Sequence, residues 1–187
     1  NPAHPNLVDA KGKFRLIFSD GCDAAIEVKP DIARIDELHR GLKQGVSVKK
    51  ILRSKSAILL KDSKPPHIID HSLRIPFFIF SVNSFSPEDL CRHIGDFYRR
   101  EKTPTVEQID GVCICGVGLL KNVKHSDLNV YGAPFPIGKN DGWYLEKWGE
   151  SALLGLLLNL EYTFHSQSGI TDSIMKRVLT RIGRFDV

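Results

Sequence analysis

A chain of 187 residues, 42% hydrophobic and 26% charged, can bury one core without metal or disulfide support and is too apolar to stay disordered. Its 26 Lys and Arg against 22 Asp and Glu leave a net charge of +4, an excess that tolerates a polyanion partner without demanding one. The four cysteines, Cys22, Cys91, Cys113 and Cys115, form no dense framework, so reduced thiols and a cytoplasmic setting are expected.

Asn1 to Gly12 reads as loop, with Pro2, Pro5 and Asn6 setting turns. Phe14 to Phe18 reads as a strand, Ser19 to Cys22 as a turn, and Asp23 to Lys29 as the returning strand of a hairpin. Asp31 to Arg53 has a helical pattern, with Asp31 as its cap and Ile35, Leu38, Leu42 and Val46 as its apolar stripe. Its other face carries Arg34, Arg40, Lys43, Lys49, Lys50 and Arg53. This face is either solvated or in contact with phosphates. Gly41 and Gly45 within it mark a break or a close approach.

Ala57 to Leu60 is a short apolar piece, followed by a loop from Lys61 to Asp70. His67 and His71 stand at a metal-ligating spacing, but Pro65 and Pro66 argue for a loop and ordinary surface histidines. Ile75 to Val82 is nearly all apolar, as expected of a central strand covered on both faces. Ser86, Pro87 and Asp89 then open a helix that runs to about Arg100 and buries Leu90, Ile94 and Phe97.

Ile109 to Val117 is a further buried strand, on which Cys113 and Cys115 would share a face as free thiols rather than as a zinc site. Gly118 to Asn122 reads as the start of a turn, and residues 124–147 as loops and short edge strands. Trp143, Tyr144 and Trp148 could stack on bases but are more simply packed against the protein. Glu150 to Phe164 is an apolar helix for the core or a dimer interface, and Thr171 caps a last helix to Ile182. The longest apolar run of the chain, Ala152 to Leu160, is broken by Gly155 and Asn159 and covers about half a membrane span, so no membrane association is expected. The pattern is α/β: a single domain over residues 1–187 with one central mixed β-sheet flanked by helices. The chain begins at Asn1 without a methionine, which reads as a piece of a longer polypeptide that lacks its N-terminal segment.

The chemistry concentrates in Ala24 to Pro30. Glu27 and Lys29 lie two apart on a strand and so project from one face. Buried charges need partners. Either the two form a structural ion pair or they do phosphodiester chemistry, in which a carboxylate ligates a divalent cation and a lysine steadies the water or the phosphate. The carbonyl of Val28, between them, could be a further ligand. A second carboxylate must come from elsewhere. Asp23 would be about 13 Å from Glu27 along an extended strand, and Asp20 farther, which leaves Asp9 as the internal candidate.

Ala25-Ile26-Glu27-Val28-Lys29 followed by a helix resembles the signature half of the PD-(D/E)XK superfamily, the restriction-endonuclease-like nucleases. The chain is similar, more narrowly, to a bacterial domain of unknown function assigned to that superfamily. The similarity runs through Asn1-Pro2, His4-Pro5, Glu27-Val28-Lys29, Pro76 to Phe80, Asp110-Gly111-Val112, Gly118-Leu119-Leu120 and the Ala152–Leu160 helix. The resemblance implies a restriction-endonuclease-like α/β fold and a Mg²⁺-dependent (or Mn²⁺-dependent) endonuclease, commonly in restriction or anti-phage defence. It implies catalytic Glu27 and Lys29, and a metal held by Glu27, Val28 and Asp9 or by a motif Asp upstream of Asn1. Arg40, Lys43, Lys49 and Lys50 would meet the nucleic acid. DNA is the expected substrate, although Glu-x-Lys addresses phosphate and RNA would serve the same chemistry. A homodimer or a larger defence complex is the expected assembly. The alternative is a catalytically degenerate subunit that keeps the fold and binds nucleic acid or a partner protein.

Overall fold

The computed structural model describes residues 7–8, 15–16, 19, 22–53, 70, 73–124 and 141–163, with side chains placed from 19 to 160 within those segments. Its elements are β1 (Leu7–Val8), β2 (Arg15–Leu16), β3 (Ala25–Asp31), α1 (Ile35–Lys49), β4 (Phe77–Asn83), α2 (Pro87–Arg100), β5 (Gly111–Ile114), β6 (Gly118–Val123), β7 (Gly142–Lys147) and α3 (Ala152–Thr163). β3 to β7 form one sheet in sequence order, whose β3, β4 and β5 are parallel and whose β6 and β7 turn back antiparallel. The α/β class and the mixed sheet flanked by helices are as the sequence implies.

The hairpin expected from residues 14–18 and 23–29 does not form. Arg15–Leu16 pairs with Leu7–Val8, whereas β3 lies parallel to β4 with Ala25 opposite Phe77 and Lys29 opposite Ser81. A parallel neighbour requires a crossover, and α1 supplies it. The chain steps along the sheet in one direction from β3 to β5, so two crossovers of the same hand put α1 and α2 on the same face. Leu38 and Leu42 of α1 and Leu90, Ile94 and Phe97 of α2 accordingly share one core with Phe77, Ile79, Val112, Ile114 and Leu120. The opposite face carries Phe78, Cys113 and Leu119 against Trp148, Ala152, Leu156 and Leu158 at α3. Burial of each such Leu, Ile or Phe contributes ~1.5–3 kcal/mol.

α1 comes close to the sheet because it presents glycine there. A Cβ on Gly41 would stand 3.0 Å from Ile79 Cδ1, and one on Gly45 only 2.3 Å from Ile109 Cγ2. These glycines therefore mark the close approach and leave the helix unbroken. Asp31 does not cap α1. It ends β3, and its Oδ1 accepts a hydrogen bond from the Ala33 N–H at 2.9 Å. At α2 the expected cap does form: Ser86 Oγ accepts from the Asp89 N–H, with Pro87 in the first turn.

Gly118 to Val123 is a strand, not the start of a turn; the reversal lies at residues 115–117. Gly118 is required there, since its φ is +152° and a Cβ would meet the Glu146 carbonyl oxygen at 2.0 Å. The same reversal separates Cys113, buried in β5, from Cys115 in the turn, so the two do not share a strand face. Residues 57–60, the loop of 61–69, His67, His71 and the helix of 171–182 lie outside the described residues. Among the described residues, no helix is long and apolar enough to cross a membrane.

Candidate functional site

β3 is the edge strand of the five-stranded sheet, and its alternation decides what each residue meets. Ile26 and Val28 point away from α1 and are 43% and 68% exposed. Glu27 and Lys29 point toward α1, as their two-residue spacing predicts. Lys29 is 5% exposed. Its ammonium lies 3.3 Å from Glu27 Oε1 and 3.1 Å from Glu37 Oε2, in the first turn of α1. Burial of this ammonium would be costly alone; two carboxylates offset that cost.

The two contacts differ in kind. Lys29 Nζ donates a hydrogen bond to Glu37, whereas Glu27 is within ion-pair distance without hydrogen-bond geometry. That hydrogen bond holds the Glu37 carboxyl below its ordinary range, and the neighbouring Arg40 guanidinium adds to the effect. Arg40 donates to Glu37 Oε1 at 2.5 Å from the solvent side. The result is a line of alternating charge, Arg40, Glu37, Lys29 and Glu27, running from solvent into the sheet and back toward its edge.

The backbone supplies a second donor. Ala25 N–H bonds the Pro76 carbonyl at 2.9 Å, so in the parallel ladder residues of its parity face β4 and those between face the outer edge. Val28 falls in the outward set, as does Pro30, whose missing N–H costs nothing there. A divalent cation beside β3 could thus take the Glu27 carboxylate and the Val28 carbonyl, which fit two of the oxygen positions that Mg²⁺ requires. Among the described residues no group of three His, Cys, Asp or Glu converges for a metal. Asp9 lies outside the described residues.

Of the four basic residues expected to meet nucleic acid, Arg40, Lys43 and Lys50 are solvent-facing and Lys49 is not. Arg40, Lys43 and Lys50 recur at helical spacing along the outer side of α1. Lys43 and Lys50 also line a groove of about 290 Å³ between α1 and the segment after α2, together with Lys102, Glu101 and Glu107. Lys49 must be reassigned. It is 1% exposed, and its Nζ bonds Asp110 Oδ1 and Oδ2 at 3.2 and 2.8 Å. A lysine at the last turn of a helix reads as surface by its polarity, but here the helix ends over the buried start of β5.

Sequence reasoning missed this second cluster. Lys124, also enclosed, donates to Asp110 Oδ1 at 2.8 Å and to the Gln108 carbonyl at 2.5 Å, while the Phe77 N–H donates to Asp110 Oδ2 at 2.8 Å. Two ammonium groups thus share one buried carboxylate. Burial, and then the nearby Lys49 charge, outweigh the attraction of Asp110 and push the Lys124 pKa down to about 7. Glu37 was missed as well; an acid in the first turn reads as an ordinary complement to the helix dipole. Trp148 is buried against Gly155, and its indole N–H donates to Glu146 at 3.3 Å, which accounts for it by packing.

No protein-family model, no curated protein and no solved structure matches the chain.

Proposed function

We propose that this protein is a Mg²⁺-dependent (or Mn²⁺-dependent) endonuclease of restriction-endonuclease-like fold that hydrolyses phosphodiester bonds of DNA. The observation that carries the reading is the setting of Glu27 and Lys29. They share one face of an edge strand, 3.3 Å apart, with the Val28 carbonyl directed to the open edge between them. A bound cation would supply Lewis-acid activation of water and of the scissile phosphate. Glu27 and the Val28 carbonyl would hold it, and Lys29 would set a positive charge beside the phosphate, where negative charge grows in the transition state. Arg40, Lys43 and Lys50 give the backbone of the nucleic acid an electrostatic track along α1.

A role in restriction or anti-phage defence, in the cytoplasm and as a homodimer or part of a larger complex, follows from the same reading. The four cysteines are free, as that compartment would keep them. One observation favours a second reading. Lys29 is enclosed between two carboxylates, and among the described residues only Glu27 and Glu37 gather there, as in a catalytically degenerate subunit that binds nucleic acid or a partner protein.

Plasmid DNA and RNA incubated with the purified protein in Mg²⁺ or Mn²⁺, beside Glu27→Ala and Lys29→Ala, decide between them. Cleavage by the wild type alone supports the endonuclease. Cleavage that survives both substitutions removes the site assignment, and its absence from every protein favours the binding subunit.

A further inference from the structure

Lys29 stands between two carboxylates but gives its directed bond to only one. The hydrogen bond goes to Glu37 at 3.1 Å, and Glu27 Oε1, at 3.3 Å, accepts none from it. A carboxylate that already accepts a charge-assisted hydrogen bond is a poorer cation ligand than one left open. Glu27 is the open one here, with its side chain 26% exposed.

Glu37 is well placed to hold the ammonium. It is anchored in the first turn of α1, and Arg40 braces its other oxygen at 2.5 Å. One turn on, Gly41 faces the lysine stem, where a Cβ would lie 3.9 Å from Lys29 Cε in ordinary van der Waals contact. We propose that Glu37 is a positioning residue: it takes the directed hydrogen bond of the Lys29 ammonium, which stays 3.3 Å from Glu27, and so leaves the Glu27 lone pairs to a divalent cation. The consequence for cleavage rests on the endonuclease reading; the effect on cation binding does not.

The test is a double-mutant cycle read by Mn²⁺ affinity, with folding checked by thermal unfolding. Glu37→Gln frees the ammonium to bond Glu27 and is expected to weaken Mn²⁺ binding about tenfold, the loss of one charge-assisted contact's worth of affinity. In a Lys29→Met background no ammonium competes, so Glu37→Gln is expected to weaken Mn²⁺ binding clearly less than in the wild type, by the loss of a nearby charge alone. Equal weakening in both backgrounds would make Glu37 a direct ligand and overturn the proposal. No effect in either background, or a wild type that does not bind Mn²⁺, overturns it too. Cleavage assays on the same proteins keep the two readings apart: the expected binding pattern without cleavage of DNA or RNA sinks the endonuclease alone.

Discussion

The buried pair of lysines on Asp110 makes stability rise with pH through a window that one substitution should close. In the unfolded chain Lys124 titrates at its ordinary 10.5; in the folded protein its pKa is about 7. Between those values the unfolded state holds a proton that the folded state has released, so unfolding takes up a proton and becomes harder as pH rises. One proton corresponds to ~1.4 kcal/mol per pH unit at full difference. From pH 7.5 to 8.5, where folded Lys124 is mostly neutral, the gain should be about 1 kcal/mol. Other shifted groups border that window. Burial lowers the His39 pKa below 6.5, so its contribution is complete before the window opens. Burial raises the thiols of Cys22 and Cys91, and pushes Cys113 up to about 12, so they begin to oppose stability about one pH unit below their unfolded 9.0 and offset part of the gain toward pH 8.5. Urea unfolding at pH 7.5, 8.0 and 8.5 should therefore show a rising free energy in the wild type and a flat or slightly falling one in Lys124→Met. The slope is the readout, because the substitution also strips the Gln108 carbonyl of its donor. A slope that persists in Lys124→Met, or a wild type that loses stability across the window, refutes the reasoning.

The same change at two helical glycines should have opposite signs. Gly45→Ala gains helix propensity but forces a Cβ to 2.3 Å from Ile109 Cγ2 and 2.9 Å from Phe77 Cδ1, a net loss of ~1–2 kcal/mol in thermal or urea unfolding. Gly95→Ala in α2 meets only the mobile end of Arg99 at 3.4 Å and should stabilise by ~0.5–1 kcal/mol; equal effects at both sites would contradict the packing described for α1. Ser86→Ala removes the acceptor for the Asp89 N–H and should cost ~1 kcal/mol, read as a lower unfolding midpoint at unchanged urea dependence.

Local signals carried much of this fold. Apolar continuity marked β4, and Ser86 with Pro87 marked the start of α2 to the residue. The strand character of β3 and the shared face of Glu27 and Lys29 were legible from alternation alone. Alternation identifies a strand and its faces but not its neighbour, which is why Ala25 was paired with the preceding strand when its partner, Phe77, lies 52 residues on. The cluster at Asp110 was hidden for a similar reason. Lys49 stands 61 residues before it, and nothing local separates a lysine over a core carboxylate from one in water. At Gly118 the glycine that reads as a turn is required by the close approach of the Glu146 carbonyl within the sheet.

What the sequence spread over a helix, the fold collects into one row. Glu37, Gly41, Gly45 and Lys49 recur every fourth residue, and such a row runs obliquely across the face of a helix. Laid on the sheet, it passes from Lys29 on β3, over Ile79 on β4, to Phe77 and Ile109, and ends at Asp110 before β5. An acid at the N-terminal end and a lysine at the C-terminal end also suit the helix dipole. The two glycines let the helix come close enough for both ion pairs to close, and the ion pairs fix where along the sheet it rests. A Cβ at Gly45, pressing on Ile109 and Phe77, would lift the helix against two ion pairs of unequal strength, Lys29–Glu37 and Lys49–Asp110. The first bond is single and partly open to water; the second is bidentate and enclosed. Close packing at Gly41 and Gly45 is therefore what lets both ends of α1 reach their partners.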